Sequence, residues 1–138
     1  MLADGGCPGG AIYLYGYVVE MVLKAASYRM LGVGANDPLE ATRPIVEEWI
    51  AEYVLRNKKK KVRPHDLDAW ARWLVYSRAN LHGAAYPHPF SLDLGSNTAV
   101  VLQYWEPSMR YHQLPCSPAD EADVRAAAQW FLNEHPNM

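Results

Sequence analysis

Cysteine is scarce: the 138 residues hold only Cys7 and Cys116, far apart and without CxxC spacing. That argues against both a disulfide framework and a thiolate metal centre. A basic excess is lacking as well, with 13 Lys plus Arg against 15 Asp plus Glu and a net charge of −2. With no global positive field, any contact with nucleic acid has to come from a local patch. Long apolar runs are missing, because Tyr, Gly, Glu or Lys interrupts each of them within a few residues. No segment is therefore expected to span a bilayer, and no basic start precedes an apolar signal core. These absences point to a soluble, cytoplasmic protein with no membrane partner. Phosphate-binding and nucleophile motifs are absent too: no GxGxxG, Walker or GxSxG pattern opens a helix. The glycine-rich GGCPGG of residues 5–10 has no strand before it, and no cofactor is implied.

Phe is rare, with two residues against five Trp and nine Tyr. Trp and Tyr carry a polar handle that suits half-wet surfaces and interfaces better than a dry core. Half of the chain is apolar and 20% is charged, enough to build the core of one domain at this length.

Residues 1–10, with four glycines and a proline, read as a flexible lead, and 11–138 as a single helical domain. Ile12, Tyr15, Val19, Val22, Leu23, Ala26 and Met30 form one stripe of a long first helix, stopped by Gly32 and Gly34. Thr42 and Pro44 open a second helix that runs to about Asn57. Asp66 caps a third, with Leu67, Trp70, Ala71, Leu74 and Leu81 on its stripe and Gly83 at its end. Pro87 and Pro89 mark a loop. Asn97–Trp105 favours a strand locally, but a lone strand has nothing to pair with, so a short helix reaching Pro107 is predicted. Ser117, Pro118 and Asp120 cap a last helix lined by Val124, Ala127, Ala128, Phe131 and Leu132. The expected fold is all-α, an up-and-down bundle of four to five helices.

The histidines at 65, 82, 88, 112 and 135 show no metal-ligand spacing, so no metal site is expected. Arg78 and His82 stand one helical turn apart at the end of the third helix. A guanidinium beside an imidazole suits metal-free phosphodiester cleavage, the first steadying the charge and the second moving a proton. The same pair in a last turn also serves simply to cap free carbonyls. Lys58, Lys59, Lys60, Lys61 and Arg63, together with Arg110, are candidate contacts to a nucleotide or RNA, although a lysine run is more often a solvated turn. Glu20 lies beside the first stripe and needs a cation if buried, with Lys24 and Arg110 as candidates for a structural ion pair.

Three segments carry a family resemblance. Gly16-Tyr17-Val18-Val19-Glu20-Met21-Val22-Leu23-Lys24-Ala25-Ala26 resembles the G-Y-x-x-E-x-x-L-K-A opening of many HEPN domains. His65-Asp66-Leu67 resembles the H-D-L start of that family's middle helix, and Trp105-Glu106-Pro107-Ser108-Met109-Arg110-Tyr111 its W-x-P-x-M-R-Y segment. The matches occur in the expected order over nearly the whole chain. The resemblance implies a dimerising helical bundle that binds nucleotide or RNA, or partners a small nucleotidyltransferase, in a defence or toxin–antitoxin system. It also implies that some members are metal-independent endoribonucleases, whose catalytic Arg and His stand four to six residues apart. Here Arg78 and His82 leave only three residues between them, and Arg110 and His112 only one, so the resemblance favours a binding module over a ribonuclease using Arg78 and His82. A purely structural assembly protein is the third reading.

Overall fold

The computed structural model describes residues 8–33, 36–38, 44, 47–52, 65–81, 83–110 and 116–138. The first stripe becomes α1, Pro8–Met30, which buries Ile12, Val19, Leu23, Ala26 and Met30. It starts three residues before the expected Ala11, because a proline in the first helical turn gives up no main-chain hydrogen bond. Gly32 ends it at φ 77°, a conformation easy only for glycine. The Gly32 N–H donates to the Arg29 carbonyl and the Val33 N–H to that of Tyr28, at 2.9 and 3.0 Å, the paired closure of a Schellman end.

Residues 47–52 are helical, with Ile50 buried, while the expected cap Thr42 lies outside the described residues. Helix α2, Leu67–Leu81, is opened by Asp66, whose Oδ1 accepts the Ala69 N–H at 3.0 Å. Leu67, Trp70 and Leu74 are buried as the spacing requires, but Leu81 is exposed, because in the final turn the stripe runs past its neighbours. Gly83 closes the connection at φ 69°.

The largest correction concerns α3, which spans His88–Tyr104, whereas the sequence predicts a loop at Pro87 and Pro89 and a helix only from Asn97. Pro87 is the N-cap and Pro89 falls in the first turn, where a missing N–H costs nothing. The strand-favouring residues are overridden by packing: Thr98 and Val101 are buried, and Thr98 Oγ1 donates to the Leu94 carbonyl at 2.7 Å. A 3-10 turn, Pro107–Arg110, follows. Helix α4, Pro118–Glu134, opens with a full capping box between Ser117 and Asp120. Leu132, expected on its inner stripe, faces solvent, while Phe131 is fully buried.

Helix α1 packs on α2 and α4, and α3 packs on the same two, so the four close a ring around one core. Trp105, just past the end of α3, donates Nε1–H to the Tyr13 carbonyl near the start of α1 at 3.2 Å. Arg29, at the end of α1, donates to the His135 carbonyl at the end of α4 at 2.6 Å. Hence α1 and α4 run the same way and α3 runs against them, the alternation of an all-α bundle. Among the described residues there is no strand, and no helix is long and apolar enough to cross a membrane.

Candidate functional site

Halfway along α1 a carboxylate is held where none is expected to be comfortable. Glu20 is 1% exposed, and an unpaired charge there would cost several kcal/mol. Among the described residues two groups answer it. Lys24, one turn on, donates Nζ–H to Oε1 at 2.5 Å, the partner expected from the sequence. The other is His65, whose Nδ1 lies 3.0 Å from both carboxylate oxygens. A carboxylate only accepts, so Nδ1 carries the proton, and in the neutral ring Nε2 is the free acceptor. The side chains of His65 and Lys24 are 40% and 21% exposed, so both partners reach solvent while the carboxylate does not.

The same place gathers aromatic rings. Tyr17 stands edge-on to Tyr13 at 5.0 Å, to Trp105 at 5.9 Å and to His65 at 6.4 Å, and His65 meets Trp105 at 6.5 Å. Lys24 also lies 5.5 Å from the centre of the Trp70 ring, a cation–π contact that helps to fix its stem. Gly16 explains why Trp105 fits. A Cβ added there would come within 2.1 Å of the indole, so only a glycine leaves room on α1 for that ring. Trp105 is thus buried against bare backbone, with its one donor satisfied by Tyr13.

The resulting surface is a half-exposed row of Tyr13, Tyr17 and His65 over a buried Trp105, with one lysine at its edge. Among the described residues it offers ring faces and edges, an imidazole whose Nδ1 is turned to Glu20, and the Lys24 ammonium, already engaged with Glu20. It can hold and orient a polar aromatic ligand.

Sequence reasoning found Glu20 and Lys24 but missed His65 as the second partner, 45 residues away. The available signals were a carboxylate in need of a cation and a glycine inside a helical stripe, which marks a close approach.

The other candidate residues lie elsewhere. Arg78 donates Nε–H to the Ala84 carbonyl at 3.2 Å and places its guanidinium 5.2 Å from the centre of the Tyr86 ring. It ties the end of α2 to the connection leading into α3, and since Ala84 lies beyond the helix this carbonyl is not one of the free helix carbonyls that a last-turn cation is expected to cap. His82, Lys58, Lys59, Lys60, Lys61 and Arg63 lie outside the described residues, and for Arg110 the structure describes the main chain alone. Among the described residues no group of three or more His, Cys, Asp and Glu is placed to hold a metal ion.

Tyr86 stands apart as a buried phenol whose hydroxyl has no hydrogen-bond partner among the described residues. Burial pushes its pKa above the ordinary tyrosine range, with Arg78 and Arg29 pulling the other way. Cys116 likewise sits above its ordinary range, raised by burial and by the nearby Asp120 carboxylate.

Compared with models of known families, with curated proteins and with solved structures, the chain matches none.

Proposed function

We propose that this chain is a HEPN-like helical module that binds RNA or a nucleotide without cutting it, in the cytoplasm and as a pair of copies, with a small nucleotidyltransferase as a candidate partner in a defence or toxin–antitoxin system. The observation that supports this reading most is convergence. Gly16, Tyr17, Glu20 and Lys24 come from the first resembling segment, His65 from the second and Trp105 from the third, and they meet at one place on α1. Partly exposed aromatic rings suit unpaired bases, which stack or pack on ring surfaces with little regard to sequence.

Arg78 favours the non-cutting reading. Its guanidinium is engaged with the Ala84 carbonyl and the Tyr86 ring, which leaves less of it free to steady a developing phosphorane charge.

The test is fluorescence anisotropy with a labelled single-stranded RNA, and separately with ATP and GTP analogues, followed by gel analysis of the same RNA. Binding that falls about tenfold in His65→Ala and Tyr17→Ala, as loss of one stacked or hydrogen-bonded group gives, supports the module. Cleavage abolished by Arg78→Ala and by His82→Ala would replace it with the ribonuclease reading. The absence of both binding and cleavage would leave the assembly protein.

A further inference from the structure

The far end of the bundle collects donors that have no acceptor. Tyr86 is 6% exposed, and its hydroxyl has no hydrogen-bond partner among the described residues. An unmet buried donor is costly, and Phe at this position would keep the contact with Phe90 without that cost. The Arg78 guanidinium lies over the same ring, 5.2 Å from its centre. Its Nε–H goes to the Ala84 carbonyl, while its two terminal nitrogens have no acceptor among the described residues. Arg29 reaches this end from α1 and gives one N–H to the His135 carbonyl, and its charge, like that of Arg78, acts on the phenol. Among the described residues no carboxylate pairs with either arginine, and Glu134, next to His135, accepts from Asn137 instead.

Helix α3 begins at the same corner. Its first residue, His88, follows Tyr86 by two positions, and the Tyr86 ring lies 4.8 Å from that of Phe90 in the first turn. This N-terminus has no side-chain cap and no acidic residue in its first turn. The N–H groups of His88 and Phe90 have no acceptor among the described residues, whereas that of Ser91 is bonded to the Pro87 carbonyl. The positive end of a seventeen-residue helix thus adjoins two guanidinium groups. Cations at helix ends are by themselves weak evidence of a site, since each arginine here also serves a carbonyl. The phenol is different, because its hydroxyl is buried and serves nothing in the fold.

One kind of ligand satisfies all of these groups. An oxyanion accepts from a phenol, from the terminal nitrogens of arginine and from free N–H groups at a helix N-terminus. Charge selects among oxyanions. Two guanidinium groups and a helix N-terminus, with no carboxylate among them, call for about two negative charges, which a phosphoryl group carries near neutral pH and a carboxylate does not. Shape agrees, since donors arrive from α1, from α2 and from the start of α3, and a phosphoryl group turns three oxygens outward where a carboxylate has two in one plane. Arg29 is exposed and Arg78 half-buried, so both side chains have room to turn and admit the anion.

The geometry points to a phosphoryl-binding corner formed by Tyr86, Arg78, Arg29 and the start of α3. It is a second site, separate from the Glu20 cluster: Arg29 lies nine residues beyond Glu20, about 13 Å further along α1. The corner binds its ligand, and no bond is made or broken there.

Isothermal titration calorimetry of the full chain with inorganic phosphate, phenyl phosphate and acetate, at ionic strength matched with sodium chloride, is the test. Phosphate is expected to bind saturably with a dissociation constant of about 1 mM or below, within a titration from about 0.1 to 20 mM. Phenyl phosphate tells the source of the group. Tighter binding than phosphate assigns the corner to a phosphorylated organic molecule whose body rests on the half-buried rings of Phe90 and Trp130, 5.5 Å apart, and equal or weaker binding assigns it to free phosphate. Tyr86→Phe is the diagnostic variant, because it keeps the ring and is expected to fold at least as well as wild type. Its affinity for phosphate should fall about tenfold, as loss of one hydrogen bond to a charged group gives, and Arg78→Gln and Arg29→Gln should each lose as much or more. Thermal midpoints give an independent readout. Tyr86→Phe should melt above wild type in phosphate-free buffer, and saturating phosphate should shrink or reverse that difference. General stabilisation by excluded salts raises both proteins alike. No saturable binding of either phosphate compound, acetate bound as tightly as phosphate, full affinity in Tyr86→Phe, or a midpoint difference that phosphate leaves unchanged overturns the site. RNA binding through Tyr17 and His65 is measured separately, so the proposed function stands or falls on its own.

Discussion

The middle of α1 and the far end of the bundle treat their charged groups in opposite ways. At mid-helix, Glu20 is fully buried and draws Lys24 and His65 to it, with Trp105 seated on Gly16 beside them. At the far end, Arg29 and Arg78 turn to main-chain carbonyls, those of His135 and Ala84, and the buried Tyr86 hydroxyl has no partner among the described residues. Free carbonyls collect where helices terminate, so cations there close the chain ends. In the middle of a helix every main-chain group is already bonded, so a buried charge must find a side chain, and the search brings distant segments together. Charge at a helix end is therefore weak evidence for a functional site, and buried charge at mid-helix is stronger.

The contrast breaks most sharply at Gly16. Gly16→Ala forces a Cβ onto the Trp105 indole and should cost about 4 kcal/mol, comparable to losing a core tryptophan. A far-end glycine behaves differently: Gly83→Ala suffers only from its positive φ, with nothing within 4 Å of the new Cβ, and should cost about 1 kcal/mol. Chemical denaturation of the two variants reads the difference. Equal losses would mean that the Trp105 contact gives way as easily as a turn.

The next test uses the asymmetry of the Glu20 cluster. Glu20→Met removes the one group that water does not reach, and both former partners return to solvent, so the loss should stay under about 1 kcal/mol. The double variant Lys24→Met, His65→Ala leaves the carboxylate buried without its two partners among the described residues, and should cost about 3 kcal/mol. Urea titration at neutral pH distinguishes them. A larger loss in Glu20→Met than in the double variant would show that the carboxylate anchors the fold and is not merely accommodated by it.

How much of this is legible in the sequence depends on the range of the force involved. Local chemistry reads well: Asp66 and Ser117 cap the helices they precede, Gly32 and Gly83 end theirs, and the α1 stripe from Ile12 to Met30 is buried at Ile12, Val19, Leu23, Ala26 and Met30. Helix α3 reads poorly, because prolines are ambiguous by themselves. Pro87 and Pro89 serve a loop or a helix start equally well, and only the tertiary burial of Leu94, Thr98 and Val101 decides for the helix. The site is half legible for the same reason. The need of Glu20 for a cation is visible in one dimension, and so is Lys24 one turn away, but His65 arrives across the fold. Arg78 is legible only in part: its place in a last turn is visible in the sequence, while its carbonyl partner at Ala84 is set by the turn after α2.

Tyr86 gives the smallest effect and the finest probe of the far end. Its ring is well used, tilted against Phe90 at 4.8 Å and under the Arg78 guanidinium, but its hydroxyl is buried without a partner among the described residues. An unmet buried hydroxyl costs about 1 kcal/mol or more, so Tyr86→Phe, which keeps the ring, should raise stability by about 1 kcal/mol. The effect grows with pH in a fixed direction. The folded pKa is raised by burial, so as pH climbs past the ordinary tyrosine range the unfolded chain releases this proton first, and stability falls. Tyr86→Phe lacks that loss, so its advantage over wild type should widen above about pH 10 and stay constant below about pH 9. Arg78 and Arg29 oppose the shift, and Arg78→Ala removes one of them, so the alkaline loss of that variant should be steeper than that of wild type. Thermal midpoints of the three proteins between neutral and alkaline pH give the comparison. If the advantage of Tyr86→Phe does not change with pH, the phenol titrates alike in both states. The two arginines would then serve only the carbonyls they cap.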